Sequence, residues 1–124
     1  MMNAVAANPL VLKVTPGQAV KALQADFGLT MRDLQTILDT APQHIERWAR
    51  DAAYPQTKSR QRLAELMAFH GHLQGVFTDW EGARDWLNAP SRYLAGLTPL
   101  EAMRAGRVDR ARVALLALSA GVYL

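Results

Sequence analysis

The sequence predicts an all-α protein, and three observations lead to that class. Apolar residues recur at three- and four-residue intervals along much of the chain, as on the buried face of a helix. Threonine, proline and glycine stand where such stretches would begin and end. No stretch shows the clear apolar–polar alternation of a half-buried strand. Local sequence chemistry therefore indicates a set of packed helices.

The composition limits the size and class of the fold. The chain has 124 residues, 50% hydrophobic and 20% charged, which suits one ordinary domain or two very small ones sharing a core. The charged fraction is too low for a disordered polyelectrolyte. The chain contains no cysteine, which excludes a disulfide framework, a thiolate metal site and a cysteine nucleophile.

The sequence also predicts a soluble, cytoplasmic protein. The longest apolar run, residues 113–120, is far shorter than the roughly 20 residues that a membrane-spanning helix needs. No basic residue precedes the apolar part of the N-terminus, so it is a poor signal peptide. The net charge of +3 is modest support for an anionic partner.

The N-terminal half contains three predicted helices. Residues 1–14 have no helical period and are expected to form a flexible arm. Thr15 is placed to cap the first helix, which Gly28 ends. Thr30 caps a second helix, and Pro42 lies in the first turn of a third, after a tight turn.

The second and third helices predict a helix-turn-helix. In the third helix Ile45 and Trp48 face inward, whereas Gln43, His44 and Arg47 face away. Such a helix lies in the major groove of DNA. There Gln43 could bind adenine and Arg47 guanine, each through two hydrogen bonds, with His44 alongside. Trp48 could stack on a base, but its spacing favours a place in the core.

Further basic residues flank this recognition helix and are candidate contacts to DNA phosphates. They are Arg32, Arg50, Lys58, Arg60 and Arg62. A merely solvated basic face is the alternative interpretation. The helix-turn-helix domain is predicted to span residues 15–77.

The rest of this domain is one long helix from about Arg60 to Phe77. Its propensity is lowered at Gly71 and Gly75 by about 1 kcal/mol each relative to alanine, so a break near either glycine is an open alternative. Thr78 is predicted to cap the next helix.

Residues 78–124 are predicted to form a small C-terminal helical domain. Thr98 caps one of its helices, with Glu101 at the spacing of a capping box. A last helix runs from about Val108 to Ala120. This unit is too small for an enzyme core and carries no catalytic constellation, so it is expected to offer a surface to a partner.

An ordered set of residues in this unit resembles the toxin-binding domain of the Xre/MbcA/ParS family of antitoxins. The set is Trp86-Leu87, Pro90, Leu94-x-Gly96-x-Thr98-Pro99-Leu100-Glu101 and Gly121-Val122-Tyr123. One departure is Ser91, where asparagine would be expected after the proline.

The N-terminal half resembles the Xre-type helix-turn-helix. The matching residues between 29 and 66 are Leu29-Thr30, Ala41-Pro42, Ile45, Arg47-Trp48 and Pro55. The departure is Arg50-Asp51-Ala52-Ala53, where Xre domains often place a Glu-x-Gly turn. The missing glycine leaves the shape of the loop after the recognition helix open.

The resemblance implies the antitoxin of a type II toxin–antitoxin pair. Such a protein blocks the active site of a RES-type toxin that consumes NAD or transfers ADP-ribose, and it represses its own operon. It needs no cofactor and does no chemistry itself. The expected partners are the cognate RES-domain toxin, operator DNA, a second copy in a homodimer, and a higher-order toxin–antitoxin hetero-oligomer, but no membrane.

The expected toxin contacts are apolar and basic residues of the C-terminal unit. They are Trp86, Arg92, Leu97, Arg104, Arg107, Arg110, Val122, Tyr123 and Leu124. The arginines would occupy anionic subsites, and the apolar chain end would reach into a pocket with Tyr123 as its anchor. The alternatives are a solvated face for the arginines and a core position for Trp86.

Two other functions remain as alternatives. A stand-alone Xre-type transcriptional regulator with a C-terminal dimerisation domain would share the helix-turn-helix. Use of that motif mainly as a scaffold for dimerisation is the second alternative. A metal protein is disfavoured, because His70 and His72 lie two apart on a predicted helix and so point to different faces. An enzyme is disfavoured, because the sequence has neither a Gly-rich phosphate loop nor a Ser/His/Asp signature.

Overall fold

The computed structural model describes residues 11–121, which form seven α-helices, one 3₁₀ helix and no strand. This confirms the predicted all-α class. The helices are α1 (Pro16–Phe27), α2 (Met31–Leu38), α3 (Pro42–Ala49), α4 (Thr57–Val76), α5 (Trp80–Leu87), the 3₁₀ helix (Arg92–Leu94), α6 (Pro99–Arg104) and α7 (Val108–Ser119).

Three helices begin at the threonines that the sequence indicated. The hydroxyl oxygens of Thr15, Thr30 and Thr98 accept hydrogen bonds from backbone N–H groups three residues further on, at 3.1, 3.1 and 3.0 Å. In each case the side chain of that third residue accepts from the N–H of the threonine, which completes a capping box. Each cap stabilises its helix by about 1 kcal/mol.

Three predicted boundaries differ from the structure. Asp79, not Thr78, caps α5, because its Oδ1 accepts from the N–H of Gly82 at 2.8 Å. Helix α4 begins at Thr57 rather than near Arg60, whose N–H already bonds the carbonyl of Gln56 at 2.8 Å. The last helix ends at Ser119, one residue before the predicted end.

Helix α4 also passes Gly71 and Gly75 without a break. Leu66, Phe69 and Leu73 on its inner face are fully buried. Their burial contributes more than the roughly 2 kcal/mol of propensity that two glycines remove.

The main core is continuous across the predicted domain boundary. Leu23 of α1, Phe69 of α4, Met103 of α6 and Leu115 of α7 are all fully buried in one cluster of apolar side chains. A smaller cluster of Leu94, Ala102 and Ala114 joins the 3₁₀ helix to α6 and α7. The first three helices and the C-terminal helices therefore pack on the same central helix, α4.

Candidate functional site

Helix α3 has the two-sided character expected of a recognition helix. Ile45 and Trp48 are buried, with 0% and 4% of their surface exposed. Gln43, His44 and Arg47 lie on the exposed side. The predicted orientation of these five residues is confirmed.

The imidazole of His44 is held by its neighbours. Its Nδ1 lies 2.9 Å from Oγ1 of Thr40. The ring also stacks on Trp48, with 6.5 Å between centroids and 28° between planes. Because Thr40 engages Nδ1, a partner approaching from solvent would meet the far edge of the ring.

A groove between α3 and the start of α4 brings four of the predicted DNA contacts together. They are His44, Arg47, Lys58 and Arg60. Lys58 forms an exposed ion pair with Asp39 at 3.8 Å, and such a pair exchanges easily for a phosphate. The groove is therefore a concave, mainly basic surface beside the exposed side of α3.

Arg60 is also part of the local structure. Its Nη1 donates to the carbonyl of Pro55 at 3.1 Å, and its guanidinium lies 5.6 Å from the ring centroid of Tyr54. These contacts hold the loop before α4 against the start of that helix. Arg60 reaches the groove, but part of its hydrogen-bonding capacity is already used.

Arg62 does not join this groove. Its Nη1 lies 3.4 Å from the carbonyl oxygen of Ile37, in the last turn of α2. A different cleft, lined also by Glu65, Val108, Asp109 and Arg112, surrounds it. Arg32 on α2 and Arg50 at the end of α3 are exposed but line neither depression.

The loop after α3 forms its turn without the glycine found in many Xre domains. Asp51 takes the left-handed conformation, with φ 55°, which aspartate tolerates better than most residues. The N–H of Ala52 then bonds the carbonyl of Arg47 at 2.8 Å, which closes the end of the helix. The Asp51 carboxylate also accepts from the N–H of Gly17 at 3.1 Å. The turn is thereby fixed to the start of α1.

The predicted toxin contacts in the C-terminal unit differ in exposure. Trp86 is half-buried, with its ring centroid 6.5 Å from that of Phe69 and 6.1 Å from that of Phe77. Leu97 is 47% exposed, and Arg92 is exposed on the 3₁₀ helix. Trp86 therefore packs with the core, whereas the other two residues face solvent.

Two of the predicted arginines are held in ion pairs. Arg104 Nε lies 3.3 Å from Asp33 Oδ1. Arg107 binds Asp109 through two hydrogen bonds of 3.1 and 3.0 Å, which lower the pKa of the Asp109 carboxyl. Arg110 is exposed and forms no ion pair within residues 11–121. Val122, Tyr123 and Leu124 lie outside the described residues.

The histidines of α4 have a structural environment. His70 Nε2 is 2.8 Å from Asp26 Oδ2, and its ring lies between Phe27 and Trp80, at 5.5 and 4.6 Å. In the described part of the chain no three histidine or carboxylate side chains are grouped as a metal site.

None of the helices within residues 11–121 is long and apolar enough to cross a membrane.

Sequence reasoning missed the polar contacts that Asp26 makes with distant parts of the chain. Asp26 accepts from His70, 44 residues away, and its carbonyl accepts from Arg84 Nε, 58 residues away, at 3.2 Å. No spacing rule finds such partners, because only the tertiary fold brings them together.

Comparison with known proteins places these helices in a family. The family model for the antitoxin Xre/MbcA/ParS C-terminal toxin-binding domain matches residues 72–115. The chain is 30% identical over 114 residues to the mycobacterial cidal antitoxin MbcA of Mycobacterium bovis and of Mycobacterium tuberculosis, covering 92% of this chain and 96% of each relative.

A solved structure agrees with these matches. The crystal structure of the M. tuberculosis MbcT–MbcA toxin–antitoxin complex contains a chain that superposes with a TM-score of 0.62 and 28% identity, covering 87% of this chain and 96% of that one. The similarity thus spans the N-terminal helices as well as the C-terminal helices. The chain belongs to the Xre/MbcA/ParS family of antitoxins.

Proposed function

We propose that this protein neutralises a RES-type toxin by covering its active-site cleft, and that it represses its own operon through α3. The observation that carries the proposal is similarity to MbcA over nearly the whole chain, together with the structural match to a chain of a toxin–antitoxin complex. The toxin would degrade NAD or transfer ADP-ribose. The antitoxin acts by binding alone, in the cytoplasm, without a cofactor.

The contact with the toxin is assigned to the C-terminal unit, residues 78–124. Of the four arginines predicted to contact the toxin, Arg92 and Arg110 form no ion pair in the described part of the chain. Their cationic groups are available to pair with acidic groups of the toxin, whereas subsites for the phosphates of NAD would carry positive charge and repel them. Leu97 offers exposed apolar surface, and Val122 to Leu124 would enter the cleft.

The ion-paired arginines have a different place in this proposal. Arg104 and Arg107 would have to exchange Asp33 and Asp109 for groups on the toxin. Arg104 therefore contributes mainly by holding α6 on α2, and Arg107 by ordering the start of α7. Trp86 supports the domain from within rather than touching the toxin.

An NAD-consumption assay with the toxin encoded beside this gene tests the neutralising function. It compares the full chain, a chain lacking residues 121–124 and, as a matched control, a chain lacking residues 2–5. Circular dichroism checks the folding of each. We expect the full chain and the control to inhibit and the C-terminal truncation to fail. Inhibition by all three would contradict the assignment to the chain end, and inhibition by none would contradict the antitoxin function.

The DNA-binding function is assigned to residues 15–77. The exposed side of α3 would lie in the major groove, with Gln43 and Arg47 at base edges and His44 beside them. Arg32, Arg50, Lys58 and Arg60 would meet phosphates. A single recognition helix per chain calls for a homodimer on a two-fold operator, on which toxin-bound hetero-oligomers would assemble.

The alternative function, a stand-alone regulator, makes a different prediction. It requires operator binding without any effect on a toxin, whereas the antitoxin requires inhibition in the NAD assay. A measurement of operator binding and the NAD-consumption assay together therefore separate the two functions.

A further inference from the structure

Helix α7 has a second apolar side that no other part of the described structure covers. Ala111, Ala114 and Leu115 on its inner side are buried in the core. On the outer side Val113 and Leu116 are 59% and 50% exposed, and their spacing of three residues makes them neighbours on the helix surface. A helix that carries apolar residues all round is usually buried all round, so this side is expected to meet a partner.

Two unpaired arginines border this apolar pair. Arg110 lies three residues before Val113, and Arg112 lies four residues before Leu116. Each arginine therefore stands one turn away from an apolar neighbour on the helix surface. Both arginines are exposed, and neither forms an ion pair within residues 11–121. We call these four residues the α7 patch.

A second copy of this chain is a poor partner for the α7 patch. Asp109 is the one acidic residue between positions 105 and 121 of the sequence, and Arg107 already holds it through two hydrogen bonds. Two patches in contact would leave Arg110 and Arg112 of both chains partly desolvated and without a carboxylate, which is unfavourable. The partner must therefore supply acidic groups as well as an apolar surface.

The position of the α7 patch in the chain favours the toxin. The match to the toxin-binding domain covers residues 72–115. It includes Arg110, Arg112 and Val113, and Leu116 follows directly. On the toxin, the patch has to lie outside the subsites for the phosphates of NAD, because those subsites would carry positive charge and repel two arginines.

We propose that the α7 patch is a second anchor for the toxin, which binds an apolar area of the toxin surface, rimmed by carboxylates, beside the active-site cleft. Val113 and Leu116 supply the apolar centre of the contact, and the two arginines pair with the carboxylates at its rim. The chain end blocks the cleft, whereas the α7 patch only raises the affinity. The inference rests on the proposed neutralisation of the toxin and adds a contact surface to it.

Isothermal titration calorimetry of the full chain with the toxin encoded beside this gene tests the proposal. We expect Leu116→Glu to raise Kd about 30-fold or more, because it replaces a central apolar contact by a charge that the acidic rim repels. Val11→Glu is the matched control, since Val11 is 72% exposed and lies outside the predicted toxin contacts. It should bind like the parent. Circular dichroism verifies that both variants fold.

Association kinetics test the role of the arginines. Arg110→Glu combined with Arg112→Glu should slow association with the toxin about 10-fold or more at low salt, because charges at the rim steer the encounter. Arg32→Glu combined with Arg50→Glu changes the net charge equally at exposed positions of the N-terminal half, and should leave the rate nearly unchanged. Equal slowing by both pairs would overturn the pairing at the rim.

The NAD-consumption assay separates this anchor from the block of the active site. At saturating concentration Leu116→Glu should still inhibit the toxin fully, whereas the chain lacking residues 121–124 should bind the toxin without inhibiting it. Incomplete inhibition by saturating Leu116→Glu would place the α7 patch in the cleft and overturn the proposal. A parent chain that binds without inhibiting would contradict the proposed function, while weaker binding of Leu116→Glu would still support the anchor.

Two further outcomes would overturn the anchor. One is an unchanged affinity of Leu116→Glu, or a parent chain that does not bind the toxin at all. The other comes from sedimentation equilibrium of the parent and of Leu116→Glu without toxin. A parent dimer that Leu116→Glu dissociates would assign the α7 patch to a second copy instead.

Discussion

Arg104 and Asp33 join α6 to α2, with Nε of Arg104 3.3 Å from Oδ1 of Asp33. The other carboxylate oxygen accepts from the N–H of Thr30 at 2.9 Å. Burial alone would raise the pKa of Asp33. The hydrogen bonds with Thr30 and the charge of Arg104 outweigh burial and hold the pKa below its usual value. One carboxylate thus caps α2 and binds α6 at the same time.

Replacing this carboxylate should destabilise the whole fold. We expect Asp33→Ala to lower the free energy of unfolding at pH 7 by about 1–2 kcal/mol, through loss of the cap and of a partly exposed ion pair. Arg104→Ala leaves the capping box intact and should cost less. Urea denaturation measures both, with the exposed Asp85→Ala as control. Equal stability of the Asp33 and Asp85 variants would contradict the double role.

The same pair should make stability depend on pH in acid. The pKa of Asp33 is lower in the folded state than in the unfolded chain, so its stabilisation is complete above about pH 4 and is lost as pH falls through the folded-state pKa. The parent chain should therefore lose more stability between about pH 5 and 2 than Asp33→Ala does. Urea midpoints measured across this range test the difference. Parallel curves would show that Asp33 does not carry it.

Replacement by alanine should destabilise the protein at the one crowded glycine of α1 and stabilise it at the two open glycines of α4. A Cβ on Gly17 would lie 2.8 Å from the Asp51 carboxylate and 2.9 Å from the carbonyl oxygen of Ala49. Gly17→Ala must therefore push α1 from α3, at a cost of about 1–3 kcal/mol. A Cβ on Gly71 or Gly75 meets no atom within 4 Å, so alanine there should stabilise by about 0.5–1 kcal/mol each.

Thermal unfolding measures the melting temperatures of the three single variants and of the parent chain. Gly71→Ala and Gly75→Ala serve as controls for Gly17→Ala, because all three add one methyl group within a helix. A melting temperature for Gly17→Ala at or above that of the parent would contradict the tight contact between α1 and the turn after α3.

The sequence was most informative where structure depends on neighbours along the chain. Capping by Thr15, Thr30 and Thr98 needs only groups three residues away, and the helical period sufficed to orient α3. At Thr78 and Asp79 two good capping residues are adjacent, and local chemistry does not decide between them. The structure places the cap on Asp79.

Contacts between distant segments were beyond such reasoning. Arg60 and Arg62 were both predicted to meet DNA from their position after α3. Arg62 instead lies against the carbonyl of Ile37, in a different cleft. The contact between Arg62 and the Ile37 carbonyl depends on how α2 and α4 pack, which local sequence does not show. The exposed side of α3 was therefore predictable from the sequence, but the packing of Arg62 was not.

His70 should be a strong determinant of stability although it is a polar residue. His70→Ala removes the 2.8 Å contact with Asp26 and the packing against Trp80. We expect a loss of about 2–4 kcal/mol in the free energy of unfolding. His72→Ala, two residues further along α4 and less buried, should change it by less than about 0.5 kcal/mol. Similar losses in urea denaturation would contradict the specific role of His70.

DNA binding should separate Arg47 from Arg62, two arginines that lie on either side of the loop between α3 and α4. Arg47→Ala should weaken binding to the DNA upstream of the gene about 10- to 100-fold, because it removes a contact to a base edge. Arg62→Ala removes the same charge but should leave affinity nearly unchanged, since its guanidinium faces the end of α2. Lys58→Ala should lower the slope of log affinity against log salt by about 1. Fluorescence anisotropy at several salt concentrations measures all three. Equal losses for Arg47→Ala and Arg62→Ala would show that net charge, rather than the exposed side of α3, determines binding.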